Sequence, residues 1–173
     1  MNLSYATTDT PAGPFTTVVD ADGVVLASGW TSDVAALTGL ARLDVVPSEK
    51  ADVGDVTKAV HAYLDGDLTA IDAVPVRQHS GEFLMHAWDV LRTVPAGAPV
   101  TYSEFAVRAG RPPAIRAAAQ ACARNAAALF VPCHRVLRLD GTLGGFRWGL
   151  PVKRWLLDFE AARQLSEYRL APM

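Results

Sequence analysis

Residues 101–132, TYSEFAVRAGRPPAIRAAAQACARNAAALFVP, constrain the fold more than any other stretch of the sequence. Thr101 or Ser103 can cap a short helix that ends at Gly110. A Ser or Thr side chain accepts from a free N–H at a helix start, and glycine suits the position just past a helix end. The GRPP segment predicts a turn that leaves proline at the first position of a second helix, about residues 114–124. Two short helices joined in this way predict a helix-turn-helix.

The second predicted helix is dense in alanine and carries arginines, and this pattern has two interpretations. Small side chains would let its backbone lie close to another molecular surface, with Arg116 and Arg124 projecting from it and Arg111 just before it. The same pattern also describes an alanine-rich core helix with solvated arginines. The spacing of the apolar residues does not decide between these interpretations.

Charge is distributed unevenly along the chain. Residues 1–100 contain five Lys or Arg and thirteen Asp or Glu, a net charge of −8. Residues 101–163 contain ten and four, a net charge of +6, whereas the whole chain has a net charge of −2. An arginine-rich C-terminal half predicts a surface that faces a polyanion. Ordinary drift in composition is the alternative.

The first half of the chain predicts a small mixed α/β unit. The stretch FTTVVDADGVVLASGW has two β-rich runs around DADG, which predicts a hairpin. Residues 54–66 show helical spacing that stops at Gly66, and AVPVRQ, residues 73–78, predicts one more short strand. We therefore predict an α/β protein with an N-terminal α/β domain at residues 1–78. A mainly helical C-terminal domain, residues 79–173, would carry the helix-turn-helix and a short active-site strand.

That short strand is expected at AALFV, residues 127–131, and it leads to Cys133. A cysteine reacts as its thiolate, so its reactivity depends on neighbours that lower its pKa. Adjacent side chains of an extended segment point to opposite faces, so His134 would need a bend or a bridging water to reach the sulfur. Glu160, on a predicted final helix, is a candidate to orient the imidazole. A buried structural thiol is the alternative to a nucleophile.

The two cysteines of the chain, Cys122 and Cys133, have no CxxC pair or cysteine–histidine cluster around them. We therefore expect no metal site and no disulfide framework. No apolar run is long enough to span a bilayer, and the first residues lack the basic and apolar regions of a secretory signal. These observations predict a cytoplasmic protein without a membrane partner.

Several linked motifs resemble the C-terminal domain of the O6-alkylguanine-DNA alkyltransferase family. They are VPAGAPVTYSEFA, an alanine-rich helix that opens with RA and is followed by Asn, PCHRV, a G-x-L-G-G-aromatic turn, and K-x-W-L-L-x-x-E. All occur in the family's order and at matching spacing over residues 80–160. Residues 1–79 match only the family's habit of a divergent α/β domain, including the opening TPAGPF.

The resemblance implies transfer of an alkyl group, such as methyl, from O6-alkylguanine in double-stranded DNA to Cys133, with no cofactor. His134 would take the thiol proton through a water, and Glu160 would hold and polarise His134. Tyr102 would assist protonation of the departing guanine, and Asn125 would brace the turn that joins the recognition helix to the active-site strand. The product is a stable thioether, so each molecule would work once.

The resemblance also implies minor-groove binding, with the damaged nucleotide flipped out of the stack and Arg116 filling the gap. We expect the protein to act as a monomer. The predicted DNA-binding residues are Arg116, Ala117, Ala121 and Arg124. The predicted base pocket consists of Tyr102, Val136, Phe146, Arg147 and Trp148.

Two features depart from the family pattern. Arg147 and Trp148 stand where members commonly have small residues; they would narrow the pocket, stack on a large alkyl group, contact a phosphate, or point outward. In addition, RNAAALF lacks the proline that often follows the Asn.

Three other functions are alternatives to alkyl transfer. A non-catalytic relative that flags alkylated guanine is the main alternative, although such relatives lack the acceptor cysteine. A regulator that senses alkylation would carry an extra cysteine-rich domain, and the N-terminal half has no cysteine. A thiol hydrolase would need an oxyanion hole, which is not evident in the sequence.

Overall fold

The N-terminal half of the chain forms a four-stranded sheet in the computed structural model, which describes residues 2–170 and the side chains as far as Ser166. Its strands are β1 (Ser4–Thr10), β2 (Gly13–Val19), β3 (Val25–Gly29) and β4 (Ser48–Glu49). The order across the sheet is β3-β2-β1-β4, with antiparallel pairs except for β4, which runs parallel to β1. The predicted hairpin is therefore confirmed as β2 and β3.

Two helices pack with this sheet, α1 (Val34–Leu40) and α2 (Asp55–Leu64). The helix predicted at residues 54–66 is confirmed as α2, and Gly66 follows it with φ of 110°. The short strand predicted at residues 73–78 is wrong. That segment makes a single parallel bridge, between Val25 and Val76. Pro75 lies beside the bridge and has no N–H to extend a ladder.

The C-terminal half is mainly helical, as predicted. Its elements are α3 (Glu82–Leu91), β5 (Val100–Thr101), α4 (Tyr102–Arg108), α5 (Ile115–Ala123), a 3₁₀ turn (Cys133–Arg135), β6 (Val136–Leu137) and α6 (Leu150–Leu170). The short strands β5 and β6 pair in parallel and place the start of α4 beside the turn that holds Cys133. Residues 171–173, the end of the predicted C-terminal domain, lie outside the described residues.

Helices α4 and α5 confirm the two helices predicted for the helix-turn-helix. Thr101 caps α4, since its side chain accepts from the backbone N–H of Glu104 at 3.1 Å. The prediction of a proline at the first position of α5 is wrong. The helix begins at Ile115 with Ala114 at its cap, so both prolines of GRPP lie in the turn.

The strand predicted at residues 127–131 is also wrong, although the segment is fully buried. It folds back on itself: the Val131 N–H donates to the Ala127 carbonyl at 2.9 Å, and Leu129 has φ of 79°. A regular strand cannot contain this reversal. The loop is fixed to β3, where the Ser28 hydroxyl donates to the Ala128 carbonyl at 2.7 Å. The short strand of this region is β6, which follows the cysteine instead of preceding it.

One hydrophobic core runs through both halves of the chain. It includes Phe15 of β2, Val60 of α2, Leu91 of α3, Phe105 of α4 and Leu156 of α6. This shared core places side chains from the N-terminal half close to the residues that surround Cys133. Among the helices of residues 2–170, none combines the length and the apolar character needed to cross a membrane.

Candidate active site around Cys133

Cys133 and His134 lie in the 3₁₀ turn, which supplies the bend that an extended segment would lack. The Arg135 N–H donates to the Pro132 carbonyl at 3.0 Å, and the Cys133 N–H donates to the Val131 carbonyl at 2.8 Å. Cys133 is 7% exposed and His134 is 0% exposed. The turn therefore places the Cys133 thiol on the wall of a pocket while the neighbouring imidazole is fully buried.

Glu160 of α6 binds three side chains at the back of this turn. Its Oε2 lies 3.0 Å from His134 Nε2 and 2.7 Å from Arg135 Nη2, and its Oε1 accepts from Arg135 Nε at 3.0 Å. The Tyr63 hydroxyl, which comes from α2, donates to Oε2 at 2.7 Å. Burial acts to raise the pKa of Glu160, but His134 and Arg135 outweigh it and hold the pKa well below its usual range.

An ionised Glu160 determines which nitrogen of His134 carries the proton. Burial lowers the pKa of His134, so the imidazole is neutral at pH 7. A carboxylate only accepts hydrogen bonds, so the proton of the neutral ring lies on Nε2 and the lone pair on Nδ1. Nδ1 is buried and has no hydrogen-bond partner among the side chains that the structure describes. His134 thus presents an unengaged base on the side away from Glu160.

Asn125 holds the loop that leads to Cys133. Its Nδ2 donates to the Val131 carbonyl at 2.8 Å, and its Oδ1 accepts from the Ala127 N–H at 3.0 Å. Gln78 supports it from the N-terminal half, since Gln78 Nε2 donates to Asn125 Oδ1 at 2.9 Å. Gln78 also accepts from the Ala126 N–H at 2.8 Å. The loop between α5 and Cys133 is therefore pinned at both ends by side-chain amides.

Cys133 opens into a cavity of about 510 Å³. Four of the five predicted pocket residues lie on its wall: Tyr102, Phe146, Arg147 and Trp148. The rest of the wall comes from Ala119, Cys122, Ala123, Asn125, Cys133 and Gly145. Val136, the fifth predicted residue, is fully buried and is not part of the wall; its carbonyl accepts from Lys153 Nζ at 2.8 Å.

Tyr102 lies inside this pocket with its hydroxyl against Gly144. A Cβ at position 144 would lie 3.2 Å from the Tyr102 oxygen, and Gly144 has φ of 71°. Burial, with the nearby Cys122 and Cys133 thiols, raises the pKa of Tyr102 to about 12. The hydroxyl therefore keeps its proton at neutral pH and is able to donate it to a group in the pocket.

The Cys133 thiol is not ionised in advance. Burial raises its pKa above the ordinary value, and a hydrogen bond with the Asn125 side chain and the positive charge of Lys153 only partly oppose this. Because a thiol is a weak nucleophile, the proton must leave as the sulfur attacks, and a base has to be near. His134, in the same turn, has a buried Nδ1 without a hydrogen-bond partner among the described residues.

Lys153 ties the site together, although the sequence reasoning assigned it no role. Its side chain is fully buried, and Nζ donates to the carbonyls of Val136, Leu143 and Gly145. These carbonyls belong to β6 and to the loop that forms the pocket rim. Lys153 precedes Glu160 by seven residues on α6, and this spacing places both on one helix face, which is the sequence signal that could have revealed it.

Three further residues of the site were missed because they depend on contacts between distant segments. Tyr63 and Gln78 belong to the N-terminal half, and neither carries a local motif. Arg135 was part of the PCHR motif without an assigned role; the structure buries it against Glu160 and lets Nη1 donate to the Val94 carbonyl at 2.8 Å.

The residues predicted to face DNA are divided between the two sides of α5. Arg116 lies exposed in the first turn, Ala117 is half-buried, and Arg124 is exposed at the C-terminal end. Ala121 is fully buried, and its carbonyl accepts from Trp88 Nε1 at 2.9 Å. The prediction that Ala121 contacts DNA is therefore wrong, because this part of α5 packs against α3.

Arg147 and Trp148 both line the pocket, so the alternative in which both point outward is wrong. Arg147 Nη2 donates to the Ala123 carbonyl at 2.9 Å, at the end of α5. The Trp148 ring packs directly on Gly29 of β3, where an ideal Cβ would overlap the ring. The pocket rim is thus fastened to the N-terminal sheet by Trp148 and to α5 by Arg147.

Comparison with known proteins identifies a family. Residues 82–162 match the family model described as "6-O-methylguanine DNA methyltransferase, DNA binding domain". The chain is 31% identical to the methylated-DNA–protein-cysteine methyltransferase of Shigella flexneri, over 87% of this chain and 91% of that protein. It is 32% identical to the protein of the same name from Methanosarcina acetivorans, over 92% of this chain and 99% of that protein.

The similarity extends to part of longer proteins. The bifunctional transcriptional activator/DNA repair enzyme Ada of Escherichia coli is 45% identical over 53% of this chain, and the regulatory protein ada of Salmonella typhimurium is 33% identical over 95% of it. This chain spans 26% and 47% of the lengths of those two proteins.

Solved structures show the same fold. The crystal structure of Mycobacterium tuberculosis OGT in complex with DNA superposes with a TM-score of 0.79 at 29% identity, covering 92% of this chain and 94% of that one. The O6-methylguanine methyltransferase of the same organism gives a TM-score of 0.76 at 28% identity, covering 96% and 99%. The predicted α/β fold class is confirmed.

Proposed function

Since the chain belongs to the methylated-DNA–protein-cysteine methyltransferase family, we propose that it repairs DNA by transferring an alkyl group from O6-alkylguanine irreversibly to its own Cys133. The observation that carries this proposal is the arrangement of three side chains. Cys133 lies on the wall of a pocket, the adjacent His134 has an unengaged buried Nδ1, and Glu160 holds the opposite nitrogen at 3.0 Å.

The proposed reaction begins with loss of the thiol proton. His134 Nδ1 accepts this proton from Cys133 through a bridging water, and the imidazolium that forms is stabilised by the ionised Glu160 at Nε2. Because burial keeps the free thiol protonated, deprotonation and attack occur together. The sulfur forms a bond to the alkyl carbon as the bond between that carbon and guanine O6 breaks.

The electron pair of the broken bond stays on guanine, which needs a proton to leave as a neutral base. Tyr102 lies in the pocket with its hydroxyl protonated, so it donates that proton and later recovers one from solvent. The net reaction converts the thiol and the alkylated base into a thioether and guanine. The thioether has no second nucleophile to release it, so each molecule reacts once.

We propose that the α4–α5 helix-turn-helix binds duplex DNA in the minor groove as a monomer and that the damaged nucleotide flips into the pocket. A base inside a duplex cannot present O6 to Cys133, so extrusion is required. Arg116 projects from the exposed start of α5, where it fills the gap in the stack. Ala117 beside it is small enough to let the helix approach the groove floor.

We also propose that the chain divides into two domains at residue 78. Residues 1–78 support the domain that holds Cys133, because Tyr63 binds Glu160, Gln78 binds Asn125 and the Trp148 ring packs on Gly29. The N-terminal part then acts on the chemistry through these contacts, whereas the alkyl acceptor and the helix-turn-helix lie in residues 79–173.

The experiment that tests the function is incubation with duplex DNA that carries O6-methylguanine, followed by intact-mass measurement and peptide mapping. We expect a gain of one methyl group, located on Cys133, and no gain in Cys133→Ser. Protein that binds the DNA but stays unmodified would indicate a damage-flagging relative. Repeated turnover by one molecule would contradict both functions and favour a hydrolase.

A further inference from the structure

A second cavity lies next to the alkyl pocket, and arginines surround it. Its volume is about 590 Å³, and Arg42, Arg77, Arg124 and Arg147 all lie on its wall, together with His79. No Asp or Glu is among the residues that form this wall. We call this cavity the arginine cleft.

The charge of the arginine cleft is unusual for this part of the chain. Residues 1–100 contain only five Lys or Arg against thirteen Asp or Glu, yet two of those five, Arg42 and Arg77, face the cleft. Arg77 pairs with Asp20 at 3.1 Å. Within residues 2–166, whose side chains the structure describes, no carboxylate lies within 4.0 Å of the guanidinium groups of Arg42, Arg124 or Arg147. The fold thus gathers four guanidinium groups at the arginine cleft, and Asp20 is the one carboxylate paired with any of them within the described side chains.

The arginine cleft continues from the rim of the alkyl pocket. Arg147 lies on the walls of both cavities. Arg124 caps the C-terminal end of α5 and directly precedes Asn125, which is part of the pocket wall. A nucleotide whose base enters the pocket keeps its phosphodiester backbone outside, at this rim. The neighbouring phosphates of the same strand would then lie beside the cleft.

We propose that the arginine cleft binds backbone phosphates of the substrate DNA next to the flipped nucleotide, so that Arg42 of the N-terminal half belongs to the DNA-binding surface. This proposal rests on the proposed function. A guanidinium group forms paired hydrogen bonds to phosphate oxygens and suits this ligand better than any other cation of the protein. Phosphate contacts carry no base information, as a protein that repairs lesions in any sequence requires.

The test is the salt dependence of binding to duplex DNA that carries O6-methylguanine. Cys133→Ser is present in every protein compared, so no alkyl transfer takes place during the measurement. Each phosphate contact contributes about −0.9 to the slope of log K against log salt concentration. We expect Arg42→Gln to make the slope shallower by about 0.9, which corresponds to the loss of one phosphate contact. Between about 50 and about 200 mM salt, its affinity would then fall roughly threefold less than that of the wild type. The double variant Arg42→Gln/Arg124→Gln should lose about twice as much slope.

Two control variants separate phosphate binding from other causes. Arg154 is exposed on α6, away from the cleft, and lies 4.0 Å from Asp158, so Arg154→Gln should leave the slope unchanged. Arg42→Lys keeps the positive charge and should retain the wild-type slope. Matching thermal midpoints of the Arg42 variants and the wild type show that the effect is not a loss of folding.

The outcomes distinguish the inference from the function on which it rests. A wild-type protein that is methylated by damaged DNA, with Arg42→Gln showing the wild-type slope, would overturn the inference and leave the proposed function intact. If the slope becomes shallower by the same amount in Arg154→Gln as in Arg42→Gln, the effect is one of net charge. That result would also overturn the inference and leave the proposed function intact. A wild-type protein that damaged DNA does not methylate would overturn the proposed function itself.

Discussion

The replacement Tyr63→Phe tests how far the N-terminal half controls the reactive groups. Tyr63 is fully buried on α2, and its hydroxyl donates to Glu160 Oε2 at 2.7 Å. Burial, together with the charge of Glu160, raises the pKa of Tyr63, so the hydroxyl always carries the proton that it donates. Phenylalanine keeps the ring and its packing and removes only this hydrogen bond.

The expected loss of stability follows from that single bond. A hydrogen bond to a charged group contributes about 1.5–3 kcal/mol, and Glu160 keeps its contacts to His134 and Arg135 in the variant. We therefore expect the free energy of unfolding to fall by about 1.5–3 kcal/mol. A protein of this size loses about 2–4 °C in Tm per kcal/mol, so Tm should fall by several degrees while the protein stays folded at room temperature.

The pH dependence of alkyl transfer should change as well. In the proposed mechanism His134 acts as a base only when neutral, so we expect the rate to fall at low pH as the imidazole takes up a proton. Without the Tyr63 hydroxyl, more negative charge stays on the Glu160 oxygen that faces His134 Nε2, which stabilises the imidazolium and raises the pKa of His134. The acid limb of the rate profile should therefore move to higher pH.

Urea denaturation and single-turnover rates at a series of pH values measure both effects. Tyr5→Phe is the matched control, because Tyr5 is half-buried in β1 and its hydroxyl makes no hydrogen bond within the described part of the chain. If Tyr63→Phe has the same free energy of unfolding as the wild type and its rate falls over the same range of low pH, the reasoning is refuted. The Tyr63–Glu160 contact would then neither stabilise the protein nor affect the pKa of His134.

The remaining predictions concern the charge network, the DNA contact and the pocket rim. Glu160→Gln leaves the buried Arg135 without its counter-ion, so the unfolding free energy in urea should fall by about 3–5 kcal/mol and alkyl transfer should slow; an unchanged rate would remove Glu160 from the site. Arg116→Ala should slow repair of duplex DNA more than reaction with a free alkylated base, and equal losses in the two assays would contradict its role in base flipping. Gly29→Ala should cost about 1–3 kcal/mol in urea denaturation because the new Cβ overlaps the Trp148 ring. Gly39→Ala is its control, since a Cβ there meets nothing within 4 Å.

Local signals in the sequence were enough to predict the elements whose ends are set by a few residues. The Thr101 cap and Gly110 bound α4, and the DADG segment turns β2 into β3. Cys133, His134 and Glu160 were singled out from linked motifs, which record spacings along the chain.

Features that depend on tertiary contacts were beyond such signals. An apolar run such as residues 127–131 looks the same whether it becomes a strand or a buried loop, and the reversal at Leu129 comes from its docking on β3. The small methyl side chain of alanine occurs both in cores and on surfaces, so the sequence could not distinguish the core side of α5 from its outer side at Ala121. Tyr63 and Gln78 reach the site only because one core unites the two halves of the chain.

The most direct test of the central claim is the stoichiometry of transfer under an excess of O6-methylguanine in duplex DNA. The amount of methyl group on the protein should rise to one per molecule and stay there, and all of it should be found on Cys133. A plateau that includes another residue, or guanine that continues to be released after the protein is fully methylated, would contradict irreversible transfer to Cys133.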